Sequence, residues 1–124
     1  MEREPAKSFE ELIVWQKAHR FVLDTYRFSS TFPRHEIYGL SAQLRRAAMS
    51  VPANIAEGFK KRGRSDKARY LNIAEGSLEE SRYYLLLAKD LEYGDGAGLG
   101  ERANEVGRLL SAYSMKVLGS VARR

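Results

Sequence analysis

The 124-residue chain predicts an all-α fold of four helices in one domain spanning residues 1–124. Apolar residues recur at steps of three and four along its length, and no alternating β-branched run bounded by turns competes with them. The length suits a single domain with one modest core. With 44% hydrophobic and 30% charged residues the chain is too apolar for wholesale disorder. Its charges also interrupt every apolar run before the roughly 20 residues needed to span a bilayer.

The first helix is expected over about residues 9–31. Ser8 can cap its start while Glu11 reaches back, as in a capping box. Leu12, Trp15, His19, Val22 and Tyr26 form the main stripe, flanked by Val14, Ala18, Phe21 and Phe28. Pro33 pushes the preceding residue out of helical geometry and closes the element. The second helix spans about 36–60 with Leu40, Leu44, Ala47, Val51 and Ile55 inward, and Gly58 or Gly63 helps to end it. Pro52 lies in its interior, where a proline removes a hydrogen bond and kinks the helix at a cost of about 3 kcal/mol unless packing compensates.

The third helix, about 65–92, has Ser65 as its expected N-cap and Asp66 favourably placed against the helix dipole. Leu71, Ala74, Leu78, Ser81, Leu85 and Ala88 keep a heptad-like seam, and Tyr70, Ile73, Ser77, Tyr84, Leu87 and Leu91 occupy a neighbouring face. Gly94, Gly96, Gly98 and Gly100 alternate through a connection expected to be flexible. A fourth helix over about 99–121 carries Val106, Leu110, Tyr113 and Val117, with Arg123 and Arg124 suited to its negative end. Two apolar stripes on several helices are more than a bundle of this size buries alone. Self-association explains the surplus, with a wide core as the alternative, and Tyr70, Ile73, Tyr84, Leu87, Phe21 and Phe28 are the candidate interface residues.

Glu2, Arg3, Glu4 and Pro5 open the chain where a secretory signal would place a basic and then an apolar region, so no secretion signal is expected. The absence of cysteine excludes disulfides and thiolate sites and fits a cytoplasmic location. A net charge of +5 and a pI near 9.6 favour polyanionic partners.

Four segments carry a family resemblance: residues Phe9 to Ala18, the Tyr38-Gly39-Leu40-Ser41-Ala42-Gln43-Leu44-Arg45-Arg46-Ala47 helix start, Val51 to Gly58, and Tyr70-Leu71 to Glu79-Glu80. From about Phe9 to Val121 the chain resembles the four-helix bundle proteins also called 23S ribosomal RNA intervening-sequence proteins. The resemblance implies an antiparallel up-and-down bundle assembling into a ring-like homopentamer. It extends to the Avd accessory protein of diversity-generating retroelements, a basic pentameric barrel that engages reverse transcriptase and RNA. It supplies no settled activity for stand-alone members. The glycine-alternating loop departs from the family pattern.

Lys60, Lys61, Arg62, Arg64, Lys67 and Arg69 form a basic knot opposed by one acid, Asp66, over residues 60 to 69. Phosphates bound by such residues release counterions, which gives affinity without sequence selectivity. Arg62 and Arg64 can make two-pronged phosphate contacts, and the start of the third helix adds backbone donors. Arg45 and Arg46 are candidates to extend the patch. Five protomers of +5 would carry about +25 in total. The bland alternative is a solvated turn between helices.

The remaining candidates have ordinary readings. His19 on the main stripe reads as a hydrogen-bonded core histidine, and His35 has no neighbour at metal-ligand spacing. Glu75, Glu79 and Glu80 lack the Glu-x-x-His pair of a di-iron bundle and read as surface partners of Arg82 or Lys89. Glu57 beside Asn54 reads as a buried polar pair rather than an acid-base couple. No G-x-G-x-x-G follows a strand, and the seven tyrosines and Trp15 read as core or interface rather than base-stacking groups. No cofactor, metal or catalytic set is expected. Two functions remain: a nucleic-acid-associated module holding structured RNA, DNA or an RNA-protein complex by its phosphates, or a scaffold for a protein such as a reverse transcriptase.

Overall fold

A computed structural model describes residues 5–122, and the expectation for Arg123 and Arg124 lies outside them. Four α-helices follow in order: α1 (Ile13–Ser29), α2 (Leu40–Lys60), α3 (Arg64–Asp90) and α4 (Ala97–Ala122). Short 3-10 turns at Phe9–Glu11 and Arg34–Glu36 precede α1 and α2, and no strand occurs among the described residues. Helix α2 packs against α1 and α3, and α4 packs against α3 and α1, so contacts close a circuit around one apolar core.

Helices α2 and α3 bury the residues their spacing selects. Leu44, Ala47, Val51, Ile55 and Ala74 are wholly buried, and Leu71, Leu78, Leu85 and Ala88 complete the shared surface. Small residues let the two helices approach closely: a Cβ added to Gly58 would stand 3.0 Å from Tyr70 Cβ. Pro52 is buried and α2 continues through it, so packing compensates the lost Pro52 hydrogen bond. The expected Asn54–Glu57 pair does not form. Asn54 Nδ2 instead donates to the Ser50 carbonyl at 2.7 Å and to Ser50 Oγ at 2.9 Å, while Glu57 is exposed.

Helix α1 turns inward the flanking residues Val14, Ala18 and Phe21 together with Val22 of the main stripe. Val14, Ala18, Phe21, Val22, Thr25 and Ser29 are buried, whereas Trp15 is half-buried and His19 and Tyr26 are exposed. His19 is therefore not a core histidine; its ring stacks on Trp15 with centroids 5.0 Å apart. Phe21 has no exposed surface, which removes it from any interface between copies. The physical reason is volume. Ala18, Thr25 and Ser29 allow helix backbones to approach, while large amphipathic rings cover the margin of the core.

The helix starts also differ from expectation. Ser8 makes no side-chain cap, and Glu11 Oε2 accepts the Lys7 N–H at 3.2 Å. Gly63 rather than Ser65 stands at the N-cap of α3, without a side-chain cap. Gly98 and Gly100 lie within α4, leaving Gly94 and Gly96 in the connection with φ of 142° and 56°. Both lie under the Phe28 ring, and a Cβ on Gly94 would meet Phe28 Cε1 at 2.8 Å. Phe28 is thus committed to packing inside the chain, edge-on to Phe32.

Glu36 ties this end together. Its Oε1 accepts the Leu40 N–H at 3.0 Å, capping α2, and its Oε2 accepts the Tyr93 hydroxyl at 2.7 Å. These bonds, the backbone one first, hold its carboxyl below the ordinary value of 4.5. A depressed carboxyl pKa contributes stability that is present above the unfolded-state value and lost as pH falls through the folded one. Urea midpoints measured from pH 6 downwards should therefore fall more steeply below about pH 4.5 in the native chain than in Glu36→Gln. Parallel slopes would show that Glu36 does not contribute.

Candidate nucleic-acid interface

The α2–α3 turn is short, so the last turn of α2 and the first turns of α3 project their cations from one corner. Lys60, Arg62, Arg64 and Arg69 are exposed, and Lys61 is half-buried. Among the described residues none of these five makes an ion pair with a carboxylate. Tyr70 organises two of them: Lys61 Nζ lies 5.0 Å and the Arg69 guanidinium 5.2 Å from its ring centroid. Such cation–π contacts hold the side chains without neutralising them. Tyr70, expected at an interface between copies, is thus packed into the basic corner.

Lys67 has another task. Its Nζ donates to the carbonyls of Phe59 at 2.8 Å and Gly58 at 3.2 Å, the last turn of α2, and lies 5.7 Å from the Phe59 ring centroid. Desolvation lowers its pKa. A cation on orphan carbonyls at a helix C-terminus stabilises both the dipole and the backbone. Lys67→Ala is therefore expected to cost about 1 kcal/mol in chemical unfolding, with little change in polyanion affinity. A large binding loss at unchanged stability would return Lys67 to the phosphate-facing set.

Arg45 and Arg46 do not extend the corner. Arg45 is fifteen residues before Lys60 on α2, roughly 22 Å along the helix axis. Its Nε donates to Ser29 Oγ at 2.7 Å and its Nη2 to the Tyr26 carbonyl at 3.3 Å, so it caps the end of α1. Its guanidinium also covers the Tyr26 ring at 4.7 Å. Arg46 pairs with Glu80, which also accepts the Tyr84 hydroxyl at 2.7 Å. The Tyr84 bond is the largest influence and lowers the Glu80 pKa; burial opposes it, and the Arg46 bond and charge add to the lowering.

The other interface candidates fall into two groups. Tyr84 and Leu87 are half-buried against the core, while Ile73 is exposed. The spacing did not single out the larger exposed apolar side chains: Tyr83 and Leu86 on α3, Met115 on α4, and Ile37 and Tyr38 before α2. Residues outside a stripe give no periodic signal.

Beside the cationic corner, α3 and α4 leave an open groove of about 400 Å³ lined by Ser65, Arg69, Asn72 and Glu75 from α3 and Ser114 and Leu118 from α4. Ser114 is 9% exposed, and its Oγ has no hydrogen-bond partner among the described residues. Arg69 was a sequence candidate, but Asn72, Ser114 and Leu118 escape sequence reasoning because the α4 residues are far along the chain from the others and a single polar residue on a helix carries no pattern. No helix among the described residues is long and apolar enough to cross a membrane, and no group of three or more metal-ligating side chains occurs among them.

Four helices about one core, with an unneutralised cationic corner, define a helical protein whose distinctive chemistry is surface charge. The chain belongs to the 23S rRNA-intervening sequence protein family, whose pattern it matches over residues 10–112. It is similar in fold to a Bacteroides thetaiotaomicron VPI-5482 protein of unknown function from the S23 ribosomal protein family, with a TM-score of 0.75 and 24% sequence identity. That similarity covers 82% of this chain and 95% of the other. No curated protein matches the sequence.

Proposed function

We propose that this protein is a non-enzymatic assembly module that holds structured RNA or an RNA-protein complex through the phosphates facing its α2–α3 corner. The observation that carries the reading is the set Lys60, Lys61, Arg62, Arg64 and Arg69, cationic and without ion-pair partners among the described residues. Arginine fork geometry suits phosphate oxygens, and such contacts position nucleic acid without reading its sequence. The family name supports an RNA connection. In this reading the helices run up and down in antiparallel order, supported by the contact of each helix with its chain neighbours and of α4 with α1. Copies assemble into a ring, taken as a pentamer, which repeats the basic corner as a band in the cytoplasm.

Binding of nuclease-treated protein to a structured RNA, a matched DNA duplex and heparin across a salt series tests this, with mass followed by light scattering. Submicromolar RNA binding that weakens steeply with salt supports it. Indifference to all three polyanions near physiological salt overturns it. A protein-scaffold reading is then favoured by a specific observation: Tyr38 is 91% exposed beside Ile37 at 55%, an apolar pair that a protein partner, such as a reverse transcriptase, would cover.

A further inference from the structure

We infer that the groove where α1 ends and α2 begins binds a short segment of a protein partner, one that carries a carboxylate beside a bulky apolar side chain. The groove lies at the opposite end of α2 from the cationic corner, and the inference does not rest on the phosphate-binding reading of that corner.

The groove has a volume of about 420 Å³, with Phe32, Pro33 and Ile37 giving apolar surface and Arg34, Ser41 and Arg45 polar surface. Its lining holds two arginines and no carboxylate. Neither arginine has an ion-pair partner among the described residues. Arg45 is half-buried, and while its Nε and Nη2 bond Ser29 Oγ and the Tyr26 carbonyl, its Nη1 donates to nothing among the described residues. Glu36, two residues from Arg34, is committed elsewhere, because its oxygens accept the Leu40 N–H and the Tyr93 hydroxyl. A partly buried cation without a counter-ion is costly, and an incoming carboxylate offsets that cost.

The start of α2 adds donors. Glu36 takes the Leu40 N–H and the Gly39 carbonyl takes that of Gln43, but the Ser41 and Ala42 N–H groups between them have no backbone acceptor. Such groups favour an anion, yet every helix start has them and they select nothing alone. The independent observation is the Ser41 side chain. Ser41 is 5% exposed and lines the groove, and its hydroxyl enters none of the hydrogen bonds that tie this end together. The unbonded hydroxyls of Thr25 and Ser114 are sealed from solvent, whereas the Ser41 oxygen keeps accessible surface. A carboxylate in the groove can accept from the Ser41 hydroxyl, with Arg45 one turn further along the same face of α2.

The apolar surface decides what carries the carboxylate. Ile37 is 55% exposed and leads directly into Tyr38, which is 91% exposed, a pair that a free small acid in the groove would leave uncovered. A bulky side chain next to the carboxylate in a peptide covers it. A nucleic-acid phosphate is flanked by sugar and brings no such group, so the groove suits a protein segment.

The test measures binding of the full chain to labelled, capped short peptides in which aspartate or glutamate adjoins leucine, phenylalanine or tryptophan. Matched sets replace the acid by its amide or the apolar residue by serine. At least one acidic–apolar peptide should bind about tenfold or more tighter than both of its counterparts. Ser41→Asp puts a carboxylate where the ligand's would sit, at a helix start that favours an acid, and should weaken binding about tenfold. Ile37→Ser alters an exposed side chain and should fold and weaken binding even if Ser41→Asp disturbs packing. The Arg62→Glu/Arg64→Glu double variant should bind the peptides as the native protein does, because the corner begins roughly 28 Å along α2 from Ser41. Equal binding of acid and amide peptides, unaltered binding by both groove variants, or no peptide bound below about 1 mM overturns the inference. Displacement of the peptide by an equal concentration of phenylpropionate would assign the groove to a free acid, and displacement by a short RNA in the double variant would assign it to phosphate; either overturns the protein-segment inference. Peptide binding without any RNA binding leaves this inference standing while the corner reading falls, and RNA binding without peptide binding does the reverse.

Discussion

Reversing Arg62 and Arg64 to glutamate is expected to lower affinity for structured RNA on the order of 100-fold at physiological salt and to flatten the salt dependence. The two side chains are exposed and make no ion pair among the described residues, so their charge is available to a ligand. Each phosphate contact contributes about 0.9 to the slope of log affinity against log salt on a duplex and about 0.7 on a single strand. Losing two contacts at one corner should make that slope shallower by about 1.4 to 1.8. Because the residues lie outside the core, the unfolding midpoint should shift by no more than about 0.5 kcal/mol equivalent. Unchanged affinity and slope with intact folding would place RNA, if bound, elsewhere on the molecule and would sink the corner as the binding site.

Phe21→Ala is expected to destabilise the fold by about 3–5 kcal/mol, measured by urea unfolding. The ring has no exposed surface and belongs to the central apolar cluster, so truncation loses transfer energy and leaves a cavity. That is a large part of the roughly 5–15 kcal/mol that holds a domain together. Phe21→Leu, which keeps most of the volume, should cost much less. The measurement discriminates between the two faces of α1. An interface residue would leave the intrinsic stability of the protomer intact and change its mass in solution. A stability change below about 1 kcal/mol accompanied by dissociation of an assembly would restore Phe21 to an interface.

Helix α3 was legible because its core residues differ sharply from their neighbours. Leu71, Ala74, Leu78, Ser81, Leu85 and Ala88 follow one seam and all are buried. Helix α1 was not, because Trp15, His19 and Tyr26 suggest an inward stripe by size while the core takes Ala18, Thr25 and Ser29. Periodicity locates a face, and when two faces are apolar only the volume available between neighbouring helices decides which one packs. The cationic corner was legible as composition. Its membership was not, since Lys67, Arg45 and Arg46 resemble the other cations until carbonyls of Phe59 and Tyr26 and the Glu80 carboxylate occupy them.

The sequence by itself determined four helices, the inward faces of α2 and α3, the corner where positive charge concentrates, and the family. Those features follow from local spacing and composition, which act within a few turns of chain. The tertiary structure decided which cations remain free, which face of α1 is the core, and that Arg69, Asn72 and Ser114 line one groove. These depend on residues distant in sequence meeting at fixed geometry. A lysine bonded to a helix end and a lysine open to solvent are the same letter, and only the packing of α2 against α3 separates them.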